Sequence, residues 1–342
     1  MRYPENLKIG DTIGICAPSG GIVKPEKILR LNAAIENLKS MGYKVIETAN
    51  VRNEEKGRSA SAKVRAEEFM ELLENDEVKL IIFATGGDFL CEIFEYLDFE
   101  KIKKLKPTWV QGYSDNTGIG FLFNTILEIP SIYCQTIKDY AMKPLHRSLA
   151  DSLQIASGKE IVQKSFELYE KDWEVEPTVQ SNVNAPYNLT EKVEWKNICG
   201  GEKITMQGRS IGGCLDSILC YRGTKYDNVA NYVQKHKEEG IIWFLECFEM
   251  GTADLYRHLW QMKNAGYFKY CRGIIFGRPL FIRNDYDISF NEAVKDALGE
   301  LNIPVICDAD IGHVSPQLAI VNGGILKITS ENGKGTVETF FR

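Results

Sequence analysis

Residues 108–127 read TWVQGYSDNTGIGFLFNTIL. A strand-sized apolar run, Thr108–Gln111, breaks at Gly112 into the polar turn Tyr113-Ser114-Asp115-Asn116. An apolar helix, Gly118–Leu127, follows. A buried strand that turns sharply into a helix is the repeating unit of a parallel sheet. The same alternation runs upstream. A strand at Thr12–Ala17 precedes a helix at Ile28–Met41 that stops at Gly42. A strand at Tyr43–Glu47 precedes an amphipathic helix at Ala60–Glu74. The β-branched strand Lys79–Ala84 closes in Thr85-Gly86-Gly87-Asp88, and a helix begins over Cys91–Leu97. This βαβαβα order predicts an α/β fold with helices on both faces of a parallel sheet.

The character changes past residue 150. Short polar stretches, Trp173, Pro177 and Trp195 show no sustained periodicity. We read 1–160 as an N-terminal α/β domain, 161–198 as a linker or long loop, and 199–342 as a second domain. In that domain Gly208–Gly213 reads as a turn-rich strand edge and Leu215–Cys220 as helical. Ile241–Leu245, Gly273–Phe276 and Ile303–Cys307 read as strands, and Leu255–Gly266 as a helix. Gly323–Phe341 alternates like a hairpin around Glu331-Asn332-Gly333.

The 342 residues carry 41 basic and 47 acidic side chains, a formal charge of −6, which argues against a nucleic-acid polymer as partner. No apolar run approaches the roughly 18 residues of a membrane span, and the N-terminus lacks a signal-peptide core. Nine scattered cysteines form no C-x-x-C pair, so neither a disulfide framework nor a zinc knuckle is expected. The expectation is a cytoplasmic protein with no membrane association, no metal and no cofactor.

Ser114 lies where a parallel sheet presents its loops to ligands, and the turn resembles a nucleophile elbow. The alternative is a helix N-cap, because Ser, Asp, Asn and Thr in a row are capping residues. A serine nucleophile needs a base. Of four histidines, His236 sits in a charged helix end, His258 inside a helix and His146 in an exposed turn. His313 follows a strand in a loop flanked by Gly312 and Pro316, which leaves it best placed. Glu246 ends the apolar strand Ile241–Leu245 and is the candidate orienting carboxylate, with Glu249 and Asp254 as competitors. The amides after Gly86 could turn toward a ligand, although a Gly-Gly pair is equally a tight turn.

At these residues the chain resembles the LD-carboxypeptidase family, which includes the microcin C immunity proteins. The resemblance rests on Gly112-Tyr113-Ser114-Asp115-Asn116-Thr117, Phe244-Leu245-Glu246 and Gly312-His313-Val314-Ser315-Pro316. Ala17-Pro18-Ser19, Ala84-Thr85-Gly86-Gly87, the run Gly208–Leu215 and Gly273–Arg278 support it. It implies a flavodoxin-like N-terminal domain, similar to class I glutamine amidotransferases, and a swivelling β/β/α C-terminal domain. It implies Ser114 as nucleophile, His313 as base and Glu246 as its orienter. The oxyanion would be held by the N–H groups of Gly87 and Asp115. Gly86, Trp195 and Trp173 are the expected substrate contacts.

The implied enzyme is a cytoplasmic, homodimeric serine carboxypeptidase. Its substrate would be a small peptide or a peptidyl nucleotide: the L,D bond of a murein tetrapeptide in peptidoglycan recycling, or the amide of a microcin C-like conjugate. An α/β-hydrolase-type esterase and a non-catalytic two-domain binding protein are the alternatives.

Overall fold

The structure, a computed structural model, describes residues 1–171 and 182–341. These divide into two compact units. One holds residues 1–159 and 182–187; the other holds 160–171 and 188–341.

The first unit alternates strand and helix. Its elements are β1 (Thr12–Cys16), α1 (Pro25–Ser40), β2 (Lys44–Glu47), α2 (Ala62–Glu74), β3 (Val78–Phe83), α3 (Phe99–Ile102), β4 (Trp109–Gly112), α4 (Thr117–Leu122), β5 (Ser131–Tyr133) and α5 (Arg147–Ala156). The strands run parallel in the order β2-β1-β3-β4-β5. Every residue of β1 and β4 is buried, as strands covered on both faces must be. Pro25 opens α1, where its missing N–H costs nothing. Leu31, Ala34, Ile35 and Leu38 bury one face of that helix at helical spacing. Ser61 caps α2 by accepting the Val64 N–H. The strand order reverses between β1 and β3, so the loops leaving them part and open a crevice at their C-terminal ends. The helix expected from Cys91 is a 3₁₀ turn, Leu90–Glu95.

The second unit is built on eight strands in the order β6-β16-β15-β10-β11-β12-β13-β9. They are β6 (Val162–Lys164), β9 (Lys196–Cys199), β10 (Lys203–Cys214), β11 (Ile241–Glu246), β12 (Cys271–Gly277), β13 (Val305–Ala309), β15 (Ile325–Glu331) and β16 (Lys334–Phe340). Strands β7 (Leu168–Tyr169) and β8 (Glu191–Lys192) pair separately, and β14 is Ile320–Asn322. Helices α6 (Leu215–Ile218), α7 (Val229–Lys235), α8 (Thr252–Asn264) and α9 (Phe290–Leu298) complete it. Strands β10 to β13 are parallel neighbours, flanked by antiparallel pairs. The β15–β16 hairpin turns at Asn332 (φ 51°) and Gly333 (φ 73°), as the alternation and Asn-Gly pair predict.

Two readings change. Residues 208–213 lie inside β10, where Gly208 and Arg209 pair with β15 and residues 209–213 pair with β11, rather than at an edge. Their glycines admit close neighbours instead of turning the chain: a Cβ on Gly212 would lie 1.7 Å from the Phe244 carbonyl oxygen. The described part of 161–198 is not featureless, since it supplies β6 to β9. Trp173 lies outside the described residues.

Ile242 is wholly buried in β11, whereas Leu29 on α1 is 52% exposed. Truncating Ile242 to Ala removes buried methylenes and leaves a cavity, so it should cost about 2–5 kcal/mol. Leu29→Ala should stay within about 0.5 kcal/mol. Urea unfolding of the two variants checks the contrast.

Candidate active site

The sequence-predicted residues form two groups, one in each unit, both at the C-terminal ends of parallel strands. In the first unit, β4 ends at Gly112 and the chain turns into a 3₁₀ turn, Ser114–Asn116, that continues as α4. Ser114 has φ 61°, a left-handed conformation uncommon for a residue with a side chain. No side-chain cap hydrogen bond is formed at the start of the 3₁₀ turn or of α4. Ser114 thus stands in a strained strand-to-helix turn, the backbone form that a nucleophile elbow shares.

Three loops are tied together at Ser114. Asn116 Nδ2 donates to the carbonyls of Thr85 (2.9 Å) and Tyr113 (3.3 Å). Gly20 N–H donates to the Gly86 carbonyl at 3.2 Å. Gly86 comes so near the serine that a Cβ there would sit 2.9 Å from Ser114 Oγ. Asp115 Oδ2 accepts from Ser19 Oγ (2.5 Å) and from the Leu90 N–H (2.9 Å). The loops after β1 and β3 are therefore bonded to the side chain that follows the candidate nucleophile. Neither Ser19 nor Asn116 was singled out from sequence. Both stand in stretches that carry the family resemblance, each just past the end of a parallel strand.

Burial pushes the Asp115 carboxyl up to about 6, and Asp88 adds to the rise, against the lowering pull of its two hydrogen bonds and of Arg65. Arg65 acts on it through its charge. That buried guanidinium is occupied by the carbonyls of Pro18 and Phe89 and by Glu92.

In the second unit Glu246 is the last residue of β11 and has no exposed surface. Its Oε2 lies 3.0 Å from His313 Nδ1. With Glu246 ionised, Nδ1 must donate, which leaves the Nε2 lone pair as the acceptor. Gly312 (φ 97°) makes the approach possible, because a Cβ there would lie 2.6 Å from Glu246 Cγ. The Phe248 ring packs on the imidazole at 4.4 Å between centroids. The loop carrying His313 hangs on Asp310, which is fully buried. Asp310 pairs with Arg278 at 2.7 Å and accepts the Trp195 Nε1–H (2.9 Å) and the Phe166 N–H (3.1 Å). Asp216 accepts the N–H groups of Phe248 and Glu249, anchoring the chain beyond Glu246.

The competitors are placed elsewhere. Glu249 is exposed, and Asp254 pairs with Arg257 at the surface. His236 is buried, not solvated as its charged neighbours suggested: its Nδ1 meets Glu239 at 2.7 Å and its ring packs on Tyr232. His258 faces Arg222. His146 caps α5, and burial holds it at about 4, below the usual imidazole range. Trp195, expected at the substrate, is instead a core side chain. It is 2% exposed, and a Cβ on Gly335 would fall 2.0 Å from its ring, so no face of the indole is open for stacking. Sequence reading also passed over Cys214, which pairs with Glu246 across β10–β11. With Glu246 and His313 it forms a buried cluster whose ligand atoms lie within 4.8 Å of one another.

The raised Asp115 carboxyl fixes a pH dependence. The folded chain holds this proton more tightly than the unfolded chain. The resulting stability is complete below about pH 3.8 and is lost as pH rises through about 6. Asp115→Asn keeps one carbonyl oxygen for both donors and carries no titrating charge. Its stability relative to wild type should therefore shift in its favour by up to about 3 kcal/mol between pH 4 and pH 8. Denaturant unfolding across that range measures the shift, and a pH-independent difference contradicts it.

Family models of the LD-carboxypeptidase N-terminal and C-terminal domains match residues 13–134 and 207–328. The chain is 28% identical to the microcin C7 self-immunity protein MccF of Escherichia coli, over 95% of this chain and 92% of that protein. It is 23% identical to the probable murein peptide carboxypeptidase of Bacillus subtilis strain 168, over 98% of this chain and 94% of that one. A solved structure of MccF in complex with aspartyl sulfamoyl adenosine shares the fold, with a TM-score of 0.79 at 21% identity, covering 99% of this chain and 98% of that one. With the two family models together matching well over half of its length, the chain belongs to the LD-carboxypeptidase family of peptidases.

Proposed function

We propose that the chain is a serine carboxypeptidase that cleaves an amide next to a free carboxylate, with Ser114 as nucleophile, His313 as general base and Glu246 as its orienting partner. The observation that carries the reading is the buried Glu246–His313 hydrogen bond. It orients the ring and leaves Nε2 able to take a proton. The strained Ser114 turn supports it.

In this reading His313 Nε2 takes the Ser114 proton as Oγ attacks the carbonyl carbon. The N–H groups of Gly87 and Asp115 receive the developing oxyanion. Gly86, having no side chain, makes room for the hydroxyl, since a Cβ there would sit 2.9 Å from Oγ. Collapse passes the proton from His313 to the leaving amine and forms an acyl-serine. Water, deprotonated by His313, then releases the acid.

The substrate is a small peptide or a peptidyl nucleotide. The likeness to a murein peptide carboxypeptidase supports the L,D bond of a murein tetrapeptide and a place in peptidoglycan recycling. The higher identity to MccF supports the amide of an aminoacyl or peptidyl nucleotide. Nine cysteines outside any disulfide and the absence, among the described residues, of a helix able to cross a membrane support a cytoplasmic location. Exposed Tyr256, Trp260 and Tyr286 support the homodimer, which sedimentation would register.

Mass spectrometry of protein incubated with a murein tetrapeptide and with an aspartyl-nucleotide amide tests the reading. Release of D-Ala, or of the free amino acid, should fall at least about a thousandfold in Ser114→Ala while the thermal melt is retained. Glu246→Gln should lose about 10²–10⁴-fold. Turnover of both substrates by Ser114→Ala at the wild-type rate would falsify the assignment.

A further inference from the structure

Cys214, Glu246 and His313 are separated widely in sequence, yet the second unit gathers them in one buried cluster. Strands β10 and β11 run parallel with Cys214 in register against Glu246, each the last residue of its strand. The loop after β13 brings His313 Nδ1 to 3.0 Å from Glu246 Oε2. Cys214 Sγ, a Glu246 carboxylate oxygen and a His313 ring nitrogen all lie within 4.8 Å of one another, and all three residues are buried.

We propose that this trio binds a thiophilic divalent cation, Zn²⁺ or Cd²⁺, and that the bound cation switches the enzyme off. Sulfur, carboxylate oxygen and imidazole nitrogen form a donor set that Zn²⁺ takes in tetrahedral sites. Metal–ligand bonds of about 2.0–2.3 Å set donor atoms about 3.3–3.8 Å apart, so atoms within 4.8 Å of one another close by up to about 1.5 Å. Thiolate and Glu246 carboxylate together cancel the charge of a divalent ion, and Asp216, whose Oδ2 accepts the Cys214 S–H at 3.6 Å in the metal-free chain, stands beside the sulfur as a further carboxylate. Asp216 and the Asp310–Arg278 pair, which hold the flanking chain, supply the outer support that metal sites use.

The proton balance explains the switch. The Cys214 thiol loses its proton to solvent as sulfur binds the cation. His313 ligates through Nδ1, so the proton held there in the free enzyme moves to Nε2. An imidazole protonated at Nε2 cannot accept the Ser114 proton. This inhibitory half rests on the proposed role of His313; the binding half does not.

The test uses the full chain after chelator treatment, with exposed Cys91 and Cys220 replaced by Ser to remove adventitious thiols. Cd²⁺ titration should produce a thiolate-to-metal absorption band saturating at one equivalent. Zn²⁺ at one equivalent should lower turnover at least tenfold, reversibly with chelator. In Cys214→Ala and in Cys214→Ser, each checked by thermal melting, Cd²⁺ affinity should fall at least a hundredfold. Inhibition by Zn²⁺, taken relative to each variant's own metal-free rate, should fall with it. A band that survives both substitutions overturns the site. A Cys214-dependent band without inhibition overturns the switch. If Ser114→Ala keeps its turnover, the serine reading has failed, while the band recorded in that same variant still reports the site.

Discussion

A carboxylate with no exposed surface has to be answered by a donor, and Glu246 is answered by His313. Much of the second unit follows from that demand. Glu246 is buried because β11 lies between β10 and β12 near the middle of the sheet. Burial removes water as a partner and makes an unmatched charge prohibitive. The donor must therefore arrive from another segment, and it comes from a loop leaving β13. That loop approaches only because Gly312 has no side chain, and it holds its course because Asp310 is bonded to Arg278, Trp195 and Phe166. Trp195 thus contributes to the site through the backbone it braces rather than through any contact with substrate.

The first unit meets the same problem with different means. Asp115 is a half-buried carboxylate whose Oδ2 accepts from a hydroxyl and a backbone amide. Neutral donors offset desolvation less completely than an imidazole or a guanidinium does. The outcome is a carboxyl pushed up to about 6. What the two bonds achieve is mechanical. Ser19 and Leu90 belong to the loops after β1 and β3, where the strand order reverses, so Asp115 ties both loops to the turn that strains Ser114.

The alternation of apolar strands and amphipathic helices was legible in sequence because local periodicity reflects burial directly. The candidate side chains were legible for a related reason: each stands at the end of an apolar strand or in the loop just beyond one. Residues whose roles depend on pairing across the sheet were not legible. Cys214 meets Glu246 only through the β10–β11 register, and no local pattern encodes that register. His236 looked solvated because its neighbours in sequence are charged, but its surroundings are set by Tyr232, one turn back in α7, and by Glu239 in the turn that follows the helix. The glycines of β10 suggested turns, whereas their function is to let Phe244 and its neighbours come close. The sequence marks a missing side chain without saying which neighbour fills the space.

Cys214 shows what this arrangement admits. Orienting a general base requires a carboxylate at one imidazole nitrogen, in a pocket dry enough to keep the pair together. A metal asks for nearly the same things: a fixed imidazole, a carboxylate and little water. What separates the two uses is the third group beside them. A hydroxyl or an amide there would add a weak ligand, and the pair would remain a base and its orienter. A thiol completes a soft, charge-balanced set. It stands beside Glu246 for the same reason the base pair is well ordered: two parallel strands end in register, and their last side chains share one side of the sheet. The geometry that positions the proton acceptor thereby also positions the atoms able to block it.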